Sequence, residues 1–138
     1  MKTIILCFLL FVSSLLFGQK FDYAYQVQAG YKNGNVWSWD NSKKLDEDIT
    51  IKLDKSVVTI YNTANTILTT YEDLGEENGY DKDGDKYKTH KWKAIDDKNR
   101  TCLFIMTWYN DIKLIVYSVF YNDVAFRFYI RTNSLSNF

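Results

Sequence analysis

Three carboxylates at alternate positions form the part of this sequence whose chemistry is simplest to state. Asp81, Asp83 and Asp85 stand two residues apart in a short acidic segment. Calcium binds six to eight oxygen ligands, and three carboxylates with a backbone carbonyl would begin such a shell. These residues are therefore the candidate metal ligands, and calcium is the one metal that the sequence suggests.

The same segment resembles the start of an EF-hand calcium loop, but two of its positions depart from that pattern. Lys86 stands where the loop requires Gly, and Trp92 stands where it requires a bidentate Glu. The alternative is a solvated acidic loop in which Asp83 and Gly84 make a turn. We expect this alternative, so no cofactor is assigned to the chain.

Aromatic residues make up 17% of the chain, more than core packing alone is expected to require. Trp37, Trp39 and Trp92 are the candidates to line a pocket or a ligand-contacting face. Aromatic surfaces suit apolar ligands and sugar rings, and Trp and Tyr are also concentrated at protein interfaces. A small apolar ligand, a glycan and a protein partner therefore remain as alternatives.

Arg127, Tyr129 and Arg131 share one face of the last predicted strand. Two guanidinium groups placed two residues apart could hold a carboxylate or a sulfate. The alternative is that they are ordinary exposed side chains on a half-solvated sheet face. These three residues complete the set of candidate ligand-binding positions.

Catalytic groups are scarce in this sequence. His90 is the one histidine, which excludes a His-rich metal site. A dyad of Cys102 and His90 would need hydrogen-bond contact. The predicted register puts His90 opposite Met106, four residues along the strand from Cys102, which is roughly 13 Å away. No nucleophile elbow or phosphate-binding loop is found, so we do not expect an enzyme.

The clearest structural feature is a three-stranded antiparallel meander over Thr101–Arg131. Val, Ile, Phe, Tyr and Trp dominate it, and Asn-Asp pairs at 110–111 and 122–123 mark two turns. Two-residue turns there would gather the apolar side chains on one face. That face is predicted to contain Cys102, Phe104, Met106, Ile115, Tyr117, Val119, Phe126, Phe128 and Ile130.

The preceding chain is predicted as further short strands. Phe21–Tyr31 alternates, with Phe21 and Tyr23 on the apolar face, and Lys32–Gly34 suits a three-residue loop that would pair Ala29 with Trp37 and Val27 with Trp39. Residues 41–48 and 72–86 are predicted as polar loops, the second strongly acidic. A lysine-rich strand, Tyr87–Ile95, is interpreted as an edge strand protected by charge. The remaining predicted strands are Ile49–Leu53, Val57–Tyr61 and Ile67–Tyr71.

These elements predict an all-β, single-domain antiparallel meander of about nine strands. Sequential strands joined by short turns favour an up-and-down barrel or a two-sheet sandwich. In strand number and order the pattern resembles the calycin-type barrels, such as lipocalins. That resemblance assigns no functional residue to this chain.

Residues 1–18 have the pattern of a secretory signal peptide, with Lys2 before an apolar run, Ile4–Val12, and small residues before Gly18. Its removal would leave the domain at 19–138, with 132–138 as a frayed tail, in a secreted or periplasmic compartment. The 17 basic and 17 acidic residues balance, and only Lys2 of them lies in the leader. A nearly neutral domain has no electrostatic case for nucleic acid.

We do not expect the mature chain to span a membrane, because the shortest predicted strands have five residues and a spanning strand needs about 9–11. The sequence therefore favours a small exported binding module for an apolar or sugar-like ligand. The alternative is a structural or protein-interaction domain without a small-molecule ligand. An enzyme of unknown class is the third possibility.

Overall fold

The computed structural model describes residues 19–131; the predicted leader and the tail at 132–138 lie outside them. Within this range no helix is long and apolar enough to cross a membrane. Nine antiparallel strands form one sheet, which confirms the predicted all-β meander. They are β1 (Gln19–Asn33), β2 (Val36–Trp39), β3 (Lys43–Asp54), β4 (Val57–Tyr61), β5 (Thr66–Tyr80), β6 (Lys86–Asp96), β7 (Thr101–Tyr109), β8 (Leu114–Phe120) and β9 (Val124–Arg131).

Strand β1 closes the sheet into a ring because it pairs with strands from both ends of the chain. Its first part pairs with β3, its later part pairs with β9, and its last residues pair with β2. β4 has five residues whereas β5 has fifteen, so much of β5 extends past β4. The ring of hydrogen bonds is therefore not a regular barrel.

The inner face of the ring is the hydrophobic core, and the meander prediction of this face is confirmed. Phe104, Ile115, Tyr117 and Val119 are each at most 2% exposed. The register of β8 with β9 is as predicted, whereas β7 and β8 are joined by four residues, 110–113, rather than two. The predicted pairing is therefore wrong by two positions, a shift that leaves every side chain on its predicted face because side chains alternate with period two.

The prediction that Phe21 and Tyr23 lie on the apolar face is wrong, because β1 contains a β-bulge. The pairing with both β3 and β9 shifts between Ala24 and Gln26. A bulge inserts one extra residue and exchanges the two faces of a strand. As a result Phe21 and Tyr23 are 48% and 46% exposed, while Asp22 is 5% exposed inside the ring.

The predicted acidic loop over 72–86 is wrong, because most of it is strand. β5 continues to Tyr80 and pairs with β6, leaving a turn at 81–85. Carboxylates of β5 face lysines of β6: Glu72 lies 2.9 Å from the Nζ of Lys93, and Glu76 lies 3.1 Å from that of Lys88. Cross-strand pairs of opposite charge stabilise a sheet, so the acidic composition does not require a loop.

Two further predictions are corrected by strand pairing. β6 is bonded to β5 and β7, so its lysines are not on an edge strand. β3 begins at Lys43, within the predicted polar loop 41–48, and has twelve residues. Two of the three strands predicted to have five residues are therefore much longer, and the strand-length argument applies to β4 alone.

Candidate functional site

The side of β6–β9 that faces away from the core is the outer face, and it is organised in rows across the strands. One row contains Lys91, Ile105, Ser118 and Arg127, each opposite the next. A neighbouring row contains Leu103, Phe120, Ala125, Gly30 and Trp39. Most of the candidate residues from the sequence lie on or beside these rows.

The β1–β2 hairpin places two tryptophans over this outer face. Its turn is the pair Gly34-Asn35, so Trp37 lies opposite Lys32 and Trp39 opposite Gly30, which corrects the predicted three-residue loop. The two indoles are 6.1 Å apart and nearly parallel. Their centroids lie 5.4 and 5.9 Å from the ring of Phe120, which meets both edge-on. We call Trp37, Trp39 and Phe120 the Trp platform.

Small residues beneath the Trp platform let the indole approach the sheet. A Cβ atom at Gly30 would lie 2.6 Å from a ring carbon of Trp39, a distance that real Cβ contacts do not reach. Glycine within a strand often marks such a close approach. Ala125, beside Gly30 in the row, is fully buried. The indole of Trp39 can therefore lie at this position only because residue 30 has no side chain.

Gln28 fixes the polar side of the Trp platform. Its amide nitrogen donates to the carbonyl oxygen of Asp40, just after β2, at 2.7 Å. Its Oε1 accepts from the hydroxyl of Tyr129 at 3.1 Å and from Nη1 of Arg127 at 3.4 Å. The guanidinium carbon of Arg127 lies 3.5 Å from the ring centroid of Trp39. Burial lowers the pKa of Arg127 below its usual value.

A groove of about 450 Å³ runs along the outer face beside the Trp platform, and we call it the outer groove. Its apolar lining comes from β7 and β8 and includes Ile105, Val116 and Phe120. Arg127 and Tyr129 border it, and the turn 81–85 lines it as well. The volume falls within the range of about 300–1,000 Å³ that is usual for small-molecule sites.

The turn with the three candidate metal ligands lies at the outer groove, and one carboxylate oxygen from each of its aspartates lies within 4.8 Å of the other two. Asp81 is already engaged, because its Oδ1 accepts from the backbone nitrogens of Asp83 and Asp85 at 3.0 and 2.8 Å. Lys86 and Trp92, at the two positions that depart from the EF-hand pattern, add no oxygen ligand, because their side chains contain none. The turn thus offers three carboxylates, and that of Asp81 is the one engaged by backbone hydrogen bonds of the turn.

Trp92 and Arg131 do not join the other candidates. Trp92 packs on the inner face, with its ring stacked on His90 at 3.9 Å and 5.8 Å from the ring of Phe104. Nε2 of that histidine lies 2.7 Å from a carboxylate oxygen of Asp73. For Arg131 only the backbone is described, opposite Tyr23 of β1.

Two further cavities open at the ends of the inner face. One, of about 270 Å³, is lined by apolar side chains such as Val119, Phe126 and Phe128 together with Arg100. The other, of about 470 Å³, is lined mainly by polar side chains of the β5–β6 hairpin together with Trp108. Between them the core is filled, so they do not join into a single interior pocket through Tyr117 and its neighbours.

Comparisons of this chain with protein-family models, with curated proteins and with solved structures find no match. The assignment of a function therefore depends on the geometry of the site alone.

Sequence reasoning missed Phe120, Gln28 and Gly30 as members of the site. The glycine within an alternating strand is a signal of close backbone approach that the sequence does contain. Gln28 could not have been found, because its partners come from the far end of the chain and from after β2. Phe120 is predicted only as part of an apolar run, without its contacts to the tryptophans.

Proposed function

We propose that this protein is a small exported binding module that holds an apolar or sugar-like ligand in the outer groove, against the Trp platform. The observation that carries the proposal is that Phe120 of the Trp platform lines this groove together with Arg127 and Tyr129, while the rings of Trp37 and Trp39 contact Phe120 beside it. Rings that are partly exposed beside polar side chains suit a sugar, which presents both C–H faces and hydroxyl groups. Export is inferred from the leader pattern in residues 1–18.

The outer groove supports the proposal better than the two inner cavities do. The smaller inner cavity is bordered by residues that pack in the core. The larger one is lined by charged side chains of the β5–β6 hairpin. In the outer groove, by contrast, the hydrogen bonds of Gln28 hold an arginine and a tyrosine in place without filling the space beside them. A preorganised site of this kind reduces the entropy lost when a ligand binds.

The test is binding of a panel of oligosaccharides and apolar fluorescent probes, measured by calorimetry and tryptophan emission. Trp37→Ala and Trp39→Ala should each weaken the tightest ligand at least tenfold. Trp92→Phe and Trp108→Phe, which change tryptophans on the inner face, should change its affinity less than twofold. Equal losses in all four variants would place the ligand elsewhere or show a general effect on folding.

A protein-interaction domain is the second candidate, and one observation favours it. Phe21 and Tyr23 lie two residues apart on the outside of β1, and each is nearly half exposed. Aromatic side chains exposed together often mark interfaces. Phe21→Ser combined with Tyr23→Ser should abolish capture of a protein partner under this hypothesis and leave binding in the outer groove unchanged.

A further inference from the structure

Arg127 is a half-buried cation whose fixed partners are all neutral. Its guanidinium lies over the Trp39 ring and donates to the amide oxygen of Gln28. Among residues 19–131 no carboxylate lies within ion-pair distance of it, whereas Arg100, a more exposed arginine, has the carboxylate of Asp96 at 2.9 Å. Removing a charge from water without an opposite charge is costly, so Arg127 is set up to gain from an added anion.

The free donors of this guanidinium are directed where a ligand can reach them. A guanidinium has five N–H donors, and one bond to Gln28 leaves most of them without a protein acceptor. In the described part of the chain no buried side-chain nitrogen lacks a hydrogen-bond partner, so the remaining nitrogens of Arg127 are accessible. They border the outer groove.

A second cation lies across the floor of the same groove. Lys91 is in the row of Arg127, separated from it by Ile105 and Ser118, which is three strand spacings or roughly 14 Å. The carboxylates of the turn 81–85 also line the groove, so an anion would be repelled from that turn and drawn to the Arg127 side. The charges therefore give the groove a preferred place for a negative group.

We infer that Arg127 forms an anion subsite of the outer groove, and that the ligand carries a carboxylate or sulfate group beside the ring that contacts the Trp platform. The ligand part of this inference rests on the proposed function. Planar guanidinium groups bind carboxylate and sulfate through paired N–H donors, and stacking on Trp39 holds the plane ready for that geometry. An acidic glycan combines both requirements.

The subsite is tested first without a full ligand. The Nε–Hε signal of each arginine is followed by ¹⁵N NMR as sodium sulfate replaces sodium chloride at constant ionic strength. The Arg127 signal should shift and saturate in the millimolar range, while the signal of Arg100, which already has a carboxylate partner, stays in place. Absence of saturation at Arg127 would overturn the subsite.

The ligand class is tested with a matched pair, trigalacturonate and its uncharged methyl ester. The acid should bind at least tenfold more tightly than the ester, and Arg127→Gln should remove that difference. Lys52→Gln, which deletes a positive charge beside Phe21 and outside the groove, should leave the preference intact.

The two proposals fail in different ways. If acid and ester bind equally and Arg127→Gln weakens neither, the subsite is overturned and the binding function remains. If sulfate saturates Arg127 but no ring-bearing member of the panel binds, the subsite is supported and the proposed function is overturned. The sulfate titration uses the unmodified protein, so poor folding of Arg127→Gln would not hide either result.

Discussion

Strands β7, β8 and β9 have two faces with different contents. On the inner face Phe104, Tyr117 and Ile115 are almost fully buried against side chains from across the ring. On the outer face the same strands are covered only in part, by two indoles from β2 and by the turn 81–85. One face therefore contributes most of the stability of the fold, while the other retains space in which a ligand can be held.

The largest expected effect is on the inner face. Phe104→Ala should lower the free energy of unfolding by about 3–5 kcal/mol, the usual cost of deleting a buried Phe. Ile105→Ala, its neighbour on the outer face, should cost less than half as much. Phe126 is only partly buried and borders a cavity, so the loss in free energy of unfolding for Phe126→Ala should lie between those two values. The free energies of unfolding are measured by denaturant melts of the three variants. The largest loss in Ile105→Ala would contradict the assignment of most of the stability to the inner face.

The next effect concerns a polar pair inside the ring. The hydroxyl of Tyr117 donates to a carboxylate oxygen of Asp22, and both residues are buried. Tyr117→Phe removes the donor and leaves the carboxylate with Lys20, whose Nζ lies 3.5 Å away. Loss of one partner of a buried hydrogen bond costs about 1–3 kcal/mol. An unchanged melting midpoint would show that this pair contributes nothing to folding.

The buried hydroxyl of Tyr117 also makes the stability of the fold depend on pH. Burial, together with the charge of Asp22, raises the pKa of Tyr117 well above its usual value. The unfolded chain ionises this phenol near pH 10, whereas the folded chain keeps it protonated. The stability that follows from the shift is complete below about pH 10 and is lost as the pH rises further. Tyr117→Phe should therefore lose stability less steeply than the unmodified protein above about pH 10.

A smaller effect on stability is expected where the outer face meets the hairpin. Gly30→Ala forces the indole of Trp39 away from the sheet, because the added Cβ would overlap the ring. We expect a loss of about 1–2 kcal/mol, typical of overpacking, with a larger loss of ligand affinity. Gly34→Ala, in the turn with no neighbour within 4 Å of an added Cβ, is the control for backbone strain alone. Equal ligand affinities in the two variants would contradict this role of Gly30.

The smallest expected effect is that of calcium. Asp81 already accepts two backbone hydrogen bonds, and the turn lacks the bidentate Glu of an EF-hand loop. We therefore expect the melting temperature in millimolar calcium to equal that in chelator. A rise that disappears in Asp83→Asn would assign a calcium site to the turn and contradict this expectation. A rise that persists in that variant would place the ion elsewhere.

Most of the inner face could be predicted from the sequence, because alternation of apolar residues marks it whatever the loop lengths. The error of two residues in the β7–β8 register left every side chain on its predicted face. The bulge between Ala24 and Gln26 could not be predicted, since it depends on simultaneous pairing with β3 and β9. Composition misled the prediction for 72–86, where carboxylates are paired with lysines on the next strand.

The site was harder to predict, because its geometry depends on pairing between strands that are distant in the sequence. Trp37, Trp39, Arg127 and Tyr129 were chosen for their chemistry, but only the pairing of β1 with β9 brings the hairpin and the last strand together. Trp92 has the same chemistry and lies on the inner face. Which tryptophan lies on the outer face is thus decided by the strand register and not by residue type.

The most direct test of the outer groove is ¹⁹F NMR of the protein labelled with 5-fluorotryptophan, titrated with the tightest ligand of the panel. The four resonances report two tryptophans near the groove and two on the inner face, each assigned by a Trp→Phe variant. We predict saturable shifts for Trp37 and Trp39, with Trp92 and Trp108 unchanged. Shifts confined to Trp92 and Trp108, or no saturable shift with any ligand, would contradict the outer groove as the binding site.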